Sequence, residues 1–173
     1  TRLEKELLGT QAQEIAEAFP TESLIVEFGA GSAKKVSPLL DAIDEPSYLA
    51  IDISAEHLRQ AGARLQERHP SVPMLGICAD YSQLLELPLP EAWQSKPMVG
   101  FFPGSSLGNF EPNAAIHFLQ RIRQLLGENA QLLIGIDQPR EPSLLEAAYD
   151  DKAGVSAAFA KNLLLRLQRD LAI

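Results

Sequence analysis

LIVEFGAGSAKK, residues 24–35, decides the fold of this 173-residue chain. The run from Leu24 to Phe28 is rich in β-branched and aromatic side chains, which suits a strand buried on both faces. Gly29 and Gly31 permit a sharp turn and the close approach of a ligand to the main chain. A helix after such a turn points its free N–H groups at that ligand. The stretch therefore predicts the first βα turn of a nucleotide-binding sheet.

Predicted strands and helices alternate along the whole chain. Further strands are predicted at residues 47–53, 74–79, 98–102 and 132–137. Helices are predicted at residues 1–19 with an interruption near Gly9, and at 34–42, 54–69, 113–126, 144–148 and 153–171. This alternation predicts an α/β fold with a doubly wound, mainly parallel sheet and helices on both faces. Ligands of such sheets bind beyond the carboxyl ends of the strands.

Composition and charge argue against nucleic-acid and membrane partners and indicate where the protein is located. The formal net charge is −8 and the sequence pI is about 4.9, whereas nucleic-acid binding needs a basic face. No apolar run is long enough to span a bilayer, and the N-terminus lacks the apolar core of a signal peptide. We therefore expect a cytoplasmic protein without nucleic-acid or membrane partners. The length indicates one domain.

The glycine turn lacks both common phosphate-binding fingerprints. The dinucleotide fingerprint G-x-G-x-x-G needs a third glycine where Lys34 stands, and no Walker sequence occurs. Asp52 ends the second predicted strand 21 residues after Gly31, the interval at which a carboxylate reaches the two ribose hydroxyls. The turn therefore predicts a ligand with a ribose but without a pyrophosphate.

Four further side chains indicate which other groups the ligand carries. Asp80 follows the third strand, where its carboxylate suits the exocyclic amine of adenine, and the ring of Tyr81 suits the base plane. Lys35 is placed to meet a ligand carboxylate, and Glu27 to meet a ligand amino group. Adenine, ribose and an amino-acid group without pyrophosphate indicate S-adenosylmethionine (SAM) as the cofactor.

Each of these residues also has a purely structural explanation. Asp52 could be an acid near a helix N-cap, and Asp80 could be an acid in a turn. Lys35 could be a solvated lysine, and Glu27 could pair locally. Because the two aspartates occur at successive strand ends, we favour the ligand interpretation.

No catalytic side chain and no metal site are predicted. Methyl transfer from a sulfonium is an in-line displacement, which requires alignment of the acceptor and not a general acid. His57, His69 and His117 fall on predicted helices or at a helix end, so surface or packing roles are expected. Cys78, the only cysteine, lies in an apolar stretch and is expected to be a small buried side chain.

Five motifs resemble those of the histidine-specific N-alpha-methyltransferases of ergothioneine biosynthesis. They are EFGAGSAKK at 27–35, AIDIS at 50–54, ADY at 79–81, FFPGSSLGNF at 101–110 and AAYDDKAGV at 147–155. The resemblance covers essentially the whole chain, and the last two motifs are the most specific. It implies a class I, Rossmann-like methyltransferase fold and the SAM-dependent conversion of histidine into its trimethylated betaine, hercynine.

The resemblance also implies a role for each candidate residue. Cofactor contacts are implied for Gly29, Gly31, Lys35, Asp52, Asp80 and Tyr81, with Lys35 at the methionyl carboxylate. Substrate contacts are implied for Gly104, in the loop beside the amino acid, and for Asn109 and Tyr149, at its carboxylate. The structural alternatives are a helix cap for Asn109 and a half-buried packing role for Tyr149.

Two parts of the family pattern are expected to lie outside this sequence. They are an aromatic-rich segment upstream of Thr1 and a substrate lobe that grips the imidazole, so residues 1–173 are expected to be the SAM-binding core. Some relatives in the superfamily methylate other amino acids, including a prenylated tryptophan. Three alternatives stay open: a SAM-binding domain without turnover, a methyltransferase for another amino acid, and an NAD-dependent oxidoreductase, against which Lys34 argues.

Overall fold

The computed structural model describes residues 2–171, which fall into two compact units divided between Ile136 and Asp137. The helices of the first unit are α1 (Arg2–Glu17), α2 (Ser37–Ala42), α3 (Ala55–Arg68) and α4 (Pro112–Leu126). Its strands are β1 (Leu24–Phe28), β2 (Ser47–Asp52), β3 (Met74–Cys78), β4 (Met98–Phe102) and β5 (Gln131–Ile134). Short 3-10 helices occur at Glu91–Trp93 and Ser106–Asn109. The second unit holds α5 (Pro142–Tyr149) and α6 (Val155–Leu171).

The five strands form one parallel sheet in the order β3-β2-β1-β4-β5. After β3 the chain returns to the middle of the sheet and adds β4 beside β1. The strand order therefore reverses between β1 and β4, and open sheets of this kind bind ligands at such a reversal. The predicted doubly wound α/β fold is confirmed.

Helices cover both faces of the sheet and enclose two apolar clusters. Successive side chains of a strand point to opposite faces, so Ile25 joins the cluster beneath α1, α2 and α3. Val26 and Phe28 join the cluster beneath α4, which contributes Phe118 and Ile122. All five residues of β1 are buried, as expected for the central strand of a sheet with two covered faces. The glycine turn therefore begins directly after the buried central strand of the sheet.

The second unit consists of two helices whose side chains lie at the surface or are half-buried. Phe159 of α6 is 81% exposed and Leu164 is 65% exposed. The start of α6 is fixed by Asp151, whose carboxylate accepts hydrogen bonds from the backbone N–H groups of Val155 and Ser156. These bonds lower the pKa of Asp151 to about 2. Among residues 2–171, no helix has both the length and the apolar character that a bilayer crossing requires.

Several helix and strand boundaries differ from the prediction. Helix α1 continues through Gly9, since a glycine inside a helix weakens it by about 1 kcal/mol without breaking its hydrogen bonds. Helix α2 begins at Ser37 and not at Lys34, because residues 34–36 form a turn that follows the left-handed backbone of Ala33, with a φ of 51°. Lys35 therefore lies in the turn before α2.

Cys78 is exposed, so the prediction of a buried cysteine is wrong. It ends β3, which lies at the edge of the sheet and is only partly covered. A run of apolar residues does not show whether a strand lies at the edge or in the centre of a sheet, because both kinds of strand contain the same residue types.

The histidines differ in their surroundings. His57 and His117 are exposed, whereas His69 is buried. Its Nε2 lies 2.7 Å from the Ser37 hydroxyl, and its Nδ1 lies 3.3 Å from a carboxylate oxygen of Asp41. Although this is the residue order of a nucleophilic triad, Ser37 is only 4% exposed and inaccessible to a substrate. The array joins α2 to the end of α3, which agrees with a packing role for His69.

Candidate functional site

The glycine turn has the left-handed backbone that its sequence predicts. Gly29 has a φ of 70° and Gly31 a φ of 52°, values that a side chain disfavours. The N–H groups of Gly29 and Ala30 donate to the carbonyl oxygen of Ile51 over 2.9 and 3.1 Å. These bonds hold the turn against the end of β2 and bring it next to Asp52.

Asp52 braces the turn with both of its carboxylate oxygens. Oδ2 accepts a hydrogen bond from the Gly31 N–H at 2.8 Å, and Oδ1 accepts one from the Ser54 N–H at 2.9 Å. Ser54 is the N-cap of α3, so the structural explanation of Asp52 holds in part. Each carboxylate oxygen has a second lone pair, however, and Asp52 is only half-buried. It therefore retains acceptors for a ligand diol.

Glu27 is the deepest ionisable group near the turn. Its side chain is 2% exposed, and the Tyr48 hydroxyl donates to its Oε2. Burial raises the pKa of Glu27 to about 8, although the Tyr48 hydrogen bond and the charge of Lys35 offset part of this effect. Burial therefore favours the neutral carboxyl, which has Tyr48 as the local partner that the structural explanation expects. Its contact with a ligand amino group stays a prediction.

Lys35 is paired with Glu4, a residue that the sequence did not single out. The Lys35 Nζ lies 2.6 Å from Glu4 Oε2, and the Gly104 N–H donates to Glu4 Oε1 at 2.6 Å. We call these three residues the Glu4 clamp. It joins α1 to the glycine turn and to the loop after β4. Its members are 31 and 69 residues apart along the chain, so no motif or helical spacing connects them.

Two glycines leave the space that the Glu4 clamp occupies. A Cβ at Gly104 would lie 3.0 Å from Lys35 Nζ. A Cβ at Gly135 would lie 2.7 Å from Glu4 Oε1 and 2.9 Å from the backbone nitrogen of Gly104. The main chain after β4 and after β5 is therefore shaped around the carboxylate of Glu4.

Replacing Gly135 with alanine is expected to displace Glu4. Because two of the three atoms nearest the new Cβ belong to the backbone, the local structure must shift, at a cost of about 1–3 kcal/mol in the free energy of unfolding. Urea unfolding of the full-length protein measures this change. Gly9→Ala is the matched control, since its Cβ meets no atom within 4 Å and the substitution favours α1. Equal stability of the wild type and Gly135→Ala contradicts the tight packing described above.

Asp80 and Tyr81 lie beyond the end of β3. Asp80 accepts hydrogen bonds from the backbone N–H and the hydroxyl of Ser82, and these bonds lower its pKa. The ring of Tyr81 makes edge contacts with Phe28, Phe102 and Phe118. The nearest atom to a Cβ built on the first glycine of the turn is a ring carbon of Tyr81, at 3.6 Å. Tyr81 therefore lies against the glycine turn.

A cavity of about 800 Å³ opens between the end of β3 and helix α4. Asp80 and Tyr81 form one wall, and Phe110 and Phe118 contribute apolar surface to the others. Arg121 also lines the cavity, and its buried Nε has no hydrogen-bond partner within residues 2–171. The glycine turn, Asp52 and Lys35 are not part of this lining. The adenine-side candidates thus border a large cavity, while the other cofactor candidates surround the glycine turn.

The substrate candidates fall into both units. Asn109 is exposed and ends the 3-10 helix that follows Gly104. Helix α4 has its N-cap at Glu111, so the helix-cap explanation of Asn109 is wrong. Tyr149 ends α5 in the second unit and is 82% exposed, so the half-buried packing alternative is wrong as well.

The sequence of the chain is similar to those of characterised methyltransferases. The sequence model of a family described as "Histidine-specific methyltransferase, SAM-dependent" matches residues 1–173. The histidine N-alpha-methyltransferase of Mycolicibacterium smegmatis is 34% identical over 99% of this chain and 53% of its own length. Ergothioneine biosynthesis protein 1 of Neurospora crassa is 32% identical over 94% of this chain and 19% of its own length. The chain therefore spans about half, or less, of the relatives it matches.

The fold also has solved counterparts. The mitomycin 7-O-methyltransferase MmcR superposes with a TM-score of 0.57 over 80% of this chain and 40% of its own, at 18% sequence identity. At this identity the likeness supports the class I methyltransferase fold, in agreement with the observed sheet order.

Proposed function

The chain belongs to the family of histidine-specific, SAM-dependent methyltransferases, and from this premise we propose that its protein methylates the α-amino group of histidine to give hercynine. SAM is the cofactor of this family. Residues 1–173 would be the SAM-binding core of a longer protein, which is supported by the share of the relatives' length that the chain covers. A single cysteine fits a cytoplasmic location, and the acidic charge fits a protein without nucleic-acid partners.

The observation that carries this proposal is the contact between Asp52 and the Gly31 N–H. This contact places a carboxylate with unused lone pairs beside a turn of left-handed glycines. The carboxylate can accept hydrogen bonds from a ribose diol, and the glycines leave the main chain accessible to the ligand. Lys35, also at this turn, suits the methionyl carboxylate of SAM. Gly29 completes the turn, and Asp80 and Tyr81 are proposed to contact adenine beside the cavity. The donors and acceptors present therefore fit SAM.

The loop after β4 is proposed to hold the substrate. Gly104 and Asn109 begin and end this loop, and the exposed side-chain amide of Asn109 suits the carboxylate of an amino acid. Tyr149 is proposed as a second donor to that carboxylate. Glu27 is proposed, as in the sequence analysis, near the amino group of the methionyl part.

Bound SAM supplies an activated methyl group, so the residues of the chain need not activate a leaving group. Their task is alignment: Asn109 is proposed to orient the amino acid by its carboxylate, and the glycine turn is proposed to orient the methyl donor. The acceptor nitrogen must be unprotonated when it attacks. In each methyl transfer an N–C bond forms as the S–C bond of SAM breaks, SAH leaves, and the proton that the acceptor ammonium loses passes to solvent. No catalytic side chain is proposed within this chain.

Methyl transfer to an amino-acid panel tests the proposal. The full-length protein is incubated with methyl-labelled SAM and single amino acids, including histidine and prenylated tryptophan. Labelled hercynine is the expected product. Label on another amino acid overturns the assignment of histidine, and S-adenosylhomocysteine (SAH) binding without transfer to any acceptor favours a SAM-binding domain without turnover. Binding of a nicotinamide cofactor in place of SAH would support an oxidoreductase.

Replacing Asn109 with alanine is expected to raise the KM for histidine by about 10- to 100-fold, since a hydrogen bond to a charged group contributes about 1.5–3 kcal/mol. The affinity for SAH, measured by calorimetry, should change little. Asn113→Ala is the matched control, because Asn113 is also exposed but lies in α4, outside the loop. An unchanged KM in Asn109→Ala removes Asn109 from the proposed substrate contacts.

A further inference from the structure

We propose that Glu4 of α1 is a positioning residue, which holds the ammonium of Lys35 in place for the carboxylate of the bound cofactor. This inference rests on the proposed function, because it assumes that Lys35 meets that carboxylate. It adds a residue from the N-terminal helix to a site otherwise built from strand ends. Among the residues assigned above, none lies on α1.

Glu4 makes specific, partly buried contacts with two different parts of the fold. Its two carboxylate oxygens bind different elements, with Oε2 at Lys35 Nζ and Oε1 at the Gly104 N–H, each at 2.6 Å. The side chains of Lys35 and Glu4 are 19% and 23% exposed, so water screens this pair less than an exposed one. A lysine side chain has four flexible bonds, and pairing with Glu4 removes most of that freedom before a ligand binds.

The charges near Lys35 leave Glu4 as its partner. Glu27 is buried and accepts a hydrogen bond from Tyr48, and burial favours its neutral form. Asp52 directs its oxygens to the backbone of the glycine turn and of α3. Glu4 is the carboxylate in direct contact with Lys35. An ammonium has three donors, so one bond to Glu4 leaves two for a ligand carboxylate.

The surrounding main chain indicates that Glu4 stays in place when a ligand binds. Gly135 leaves room for Glu4 Oε1, and Gly104 leaves room for the end of Lys35, since a Cβ at either position would crowd the pair. A carboxylate that merely fills the site until a ligand arrives would not need this accommodation on two separate loops. We therefore expect Lys35 to bind Glu4 and the cofactor carboxylate together.

A comparison of two ligands isolates this role. SAH carries the amino-acid carboxylate, whereas 5′-methylthioadenosine keeps the adenine, ribose and thioether but lacks both the carboxylate and the amino group. In the full-length protein, Glu4→Gln is expected to raise the Kd for SAH about tenfold, because glutamine has no negative charge and only one oxygen for the two donors, Lys35 Nζ and the Gly104 N–H. The Kd for methylthioadenosine should stay within about twofold. If Glu4 only supported the fold, both ligands would bind more weakly.

A double-mutant cycle then tests whether Glu4 acts through Lys35. Lys35→Met should weaken SAH binding, and adding Glu4→Gln to Lys35→Met should cause no further loss. Glu17→Gln, an exposed acid at the other end of α1, is the matched control and should leave both Kd values unchanged.

The possible results separate the inference from the proposed function. An unchanged or lower Kd for SAH in Glu4→Gln overturns the inference, as do additive losses in the cycle, while SAH binding by the wild type keeps the cofactor assignment. A wild-type protein that binds neither SAH nor methylthioadenosine overturns the proposed function, and the role of Glu4 with it.

Discussion

Replacing Asp52 with alanine is expected to weaken SAH binding by 100-fold or more. The substitution removes the proposed acceptors for both ribose hydroxyls, and each hydrogen bond to a charged group contributes about 1.5–3 kcal/mol. It also leaves the N–H groups of Gly31 and Ser54 without the acceptors that hold the glycine turn. Ligand contact and turn geometry are thus lost together. Calorimetry with the full-length protein measures the change.

Two further variants test whether the loss of SAH affinity in Asp52→Ala comes from the missing carboxylate oxygens of Asp52. Asp52→Asn keeps one side-chain oxygen as an acceptor, so its Kd should lie between those of the wild type and Asp52→Ala. Asp44→Ala is the matched control, because Asp44 is an exposed aspartate before the opposite end of β2. Wild-type affinity in Asp52→Ala would exclude Asp52 from the cofactor site.

Glu27 is expected to make the stability of the protein fall as the pH rises from about 5 to 8. Burial raises its pKa from the ordinary 4.5 to about 8 in the folded protein. Between these values the folded state holds a proton that the unfolded state has released, so the free energy of unfolding decreases with pH. The contribution of Glu27 is fully present below about pH 4.5 and lost as the pH passes about 8. The full loss is about 5 kcal/mol, since each pKa unit corresponds to about 1.4 kcal/mol.

Glu27→Gln measures this contribution directly. Glutamine does not titrate, and its carbonyl oxygen can still accept the hydrogen bond of Tyr48. Urea unfolding of both proteins at pH 5, 6, 7 and 8 should give a wild type that loses stability relative to Glu27→Gln at each step. Other titrating groups are common to both proteins and cancel in the difference. Parallel curves would mean that Glu27 is ionised in the folded protein.

The sheet and the glycine turn are predictable because local sequence encodes them. The short run from Leu24 to Phe28, rich in β-branched and aromatic side chains and followed by glycine, favours a strand, and glycine at positions 29 and 31 permits left-handed backbone. The spacing from Gly31 to Asp52 spans one βαβ step, so a carboxylate at the second strand end returns to the first turn. These sequence patterns depend on residues that are close along the chain, or on the regular spacing of βαβ units.

The contacts of the Glu4 clamp and the protonation of Glu27 depend on the packing of distant elements, so local sequence patterns do not predict them. Glu4 reaches the site only because α1 packs beneath the sheet, and the sequence contains other acids with equal claims on Lys35. The sequence places Glu27 at the end of a buried strand, but its protonation follows from the depth of burial and from the hydroxyl of Tyr48. Both facts require the distances between atoms of different elements.

The reversal of strand order between β1 and β4 has a consequence for the order of folding. Strands β1, β2 and β3 pair with their neighbours in sequence, and each pairing closes a short loop. The β1–β4 pairing closes a loop of more than 60 residues, with a larger loss of chain entropy. We therefore expect the β1–β2 pairing, which brings Asp52 next to Gly31, to form before the β1–β4 pairing that positions the loop from Gly104 to Asn109.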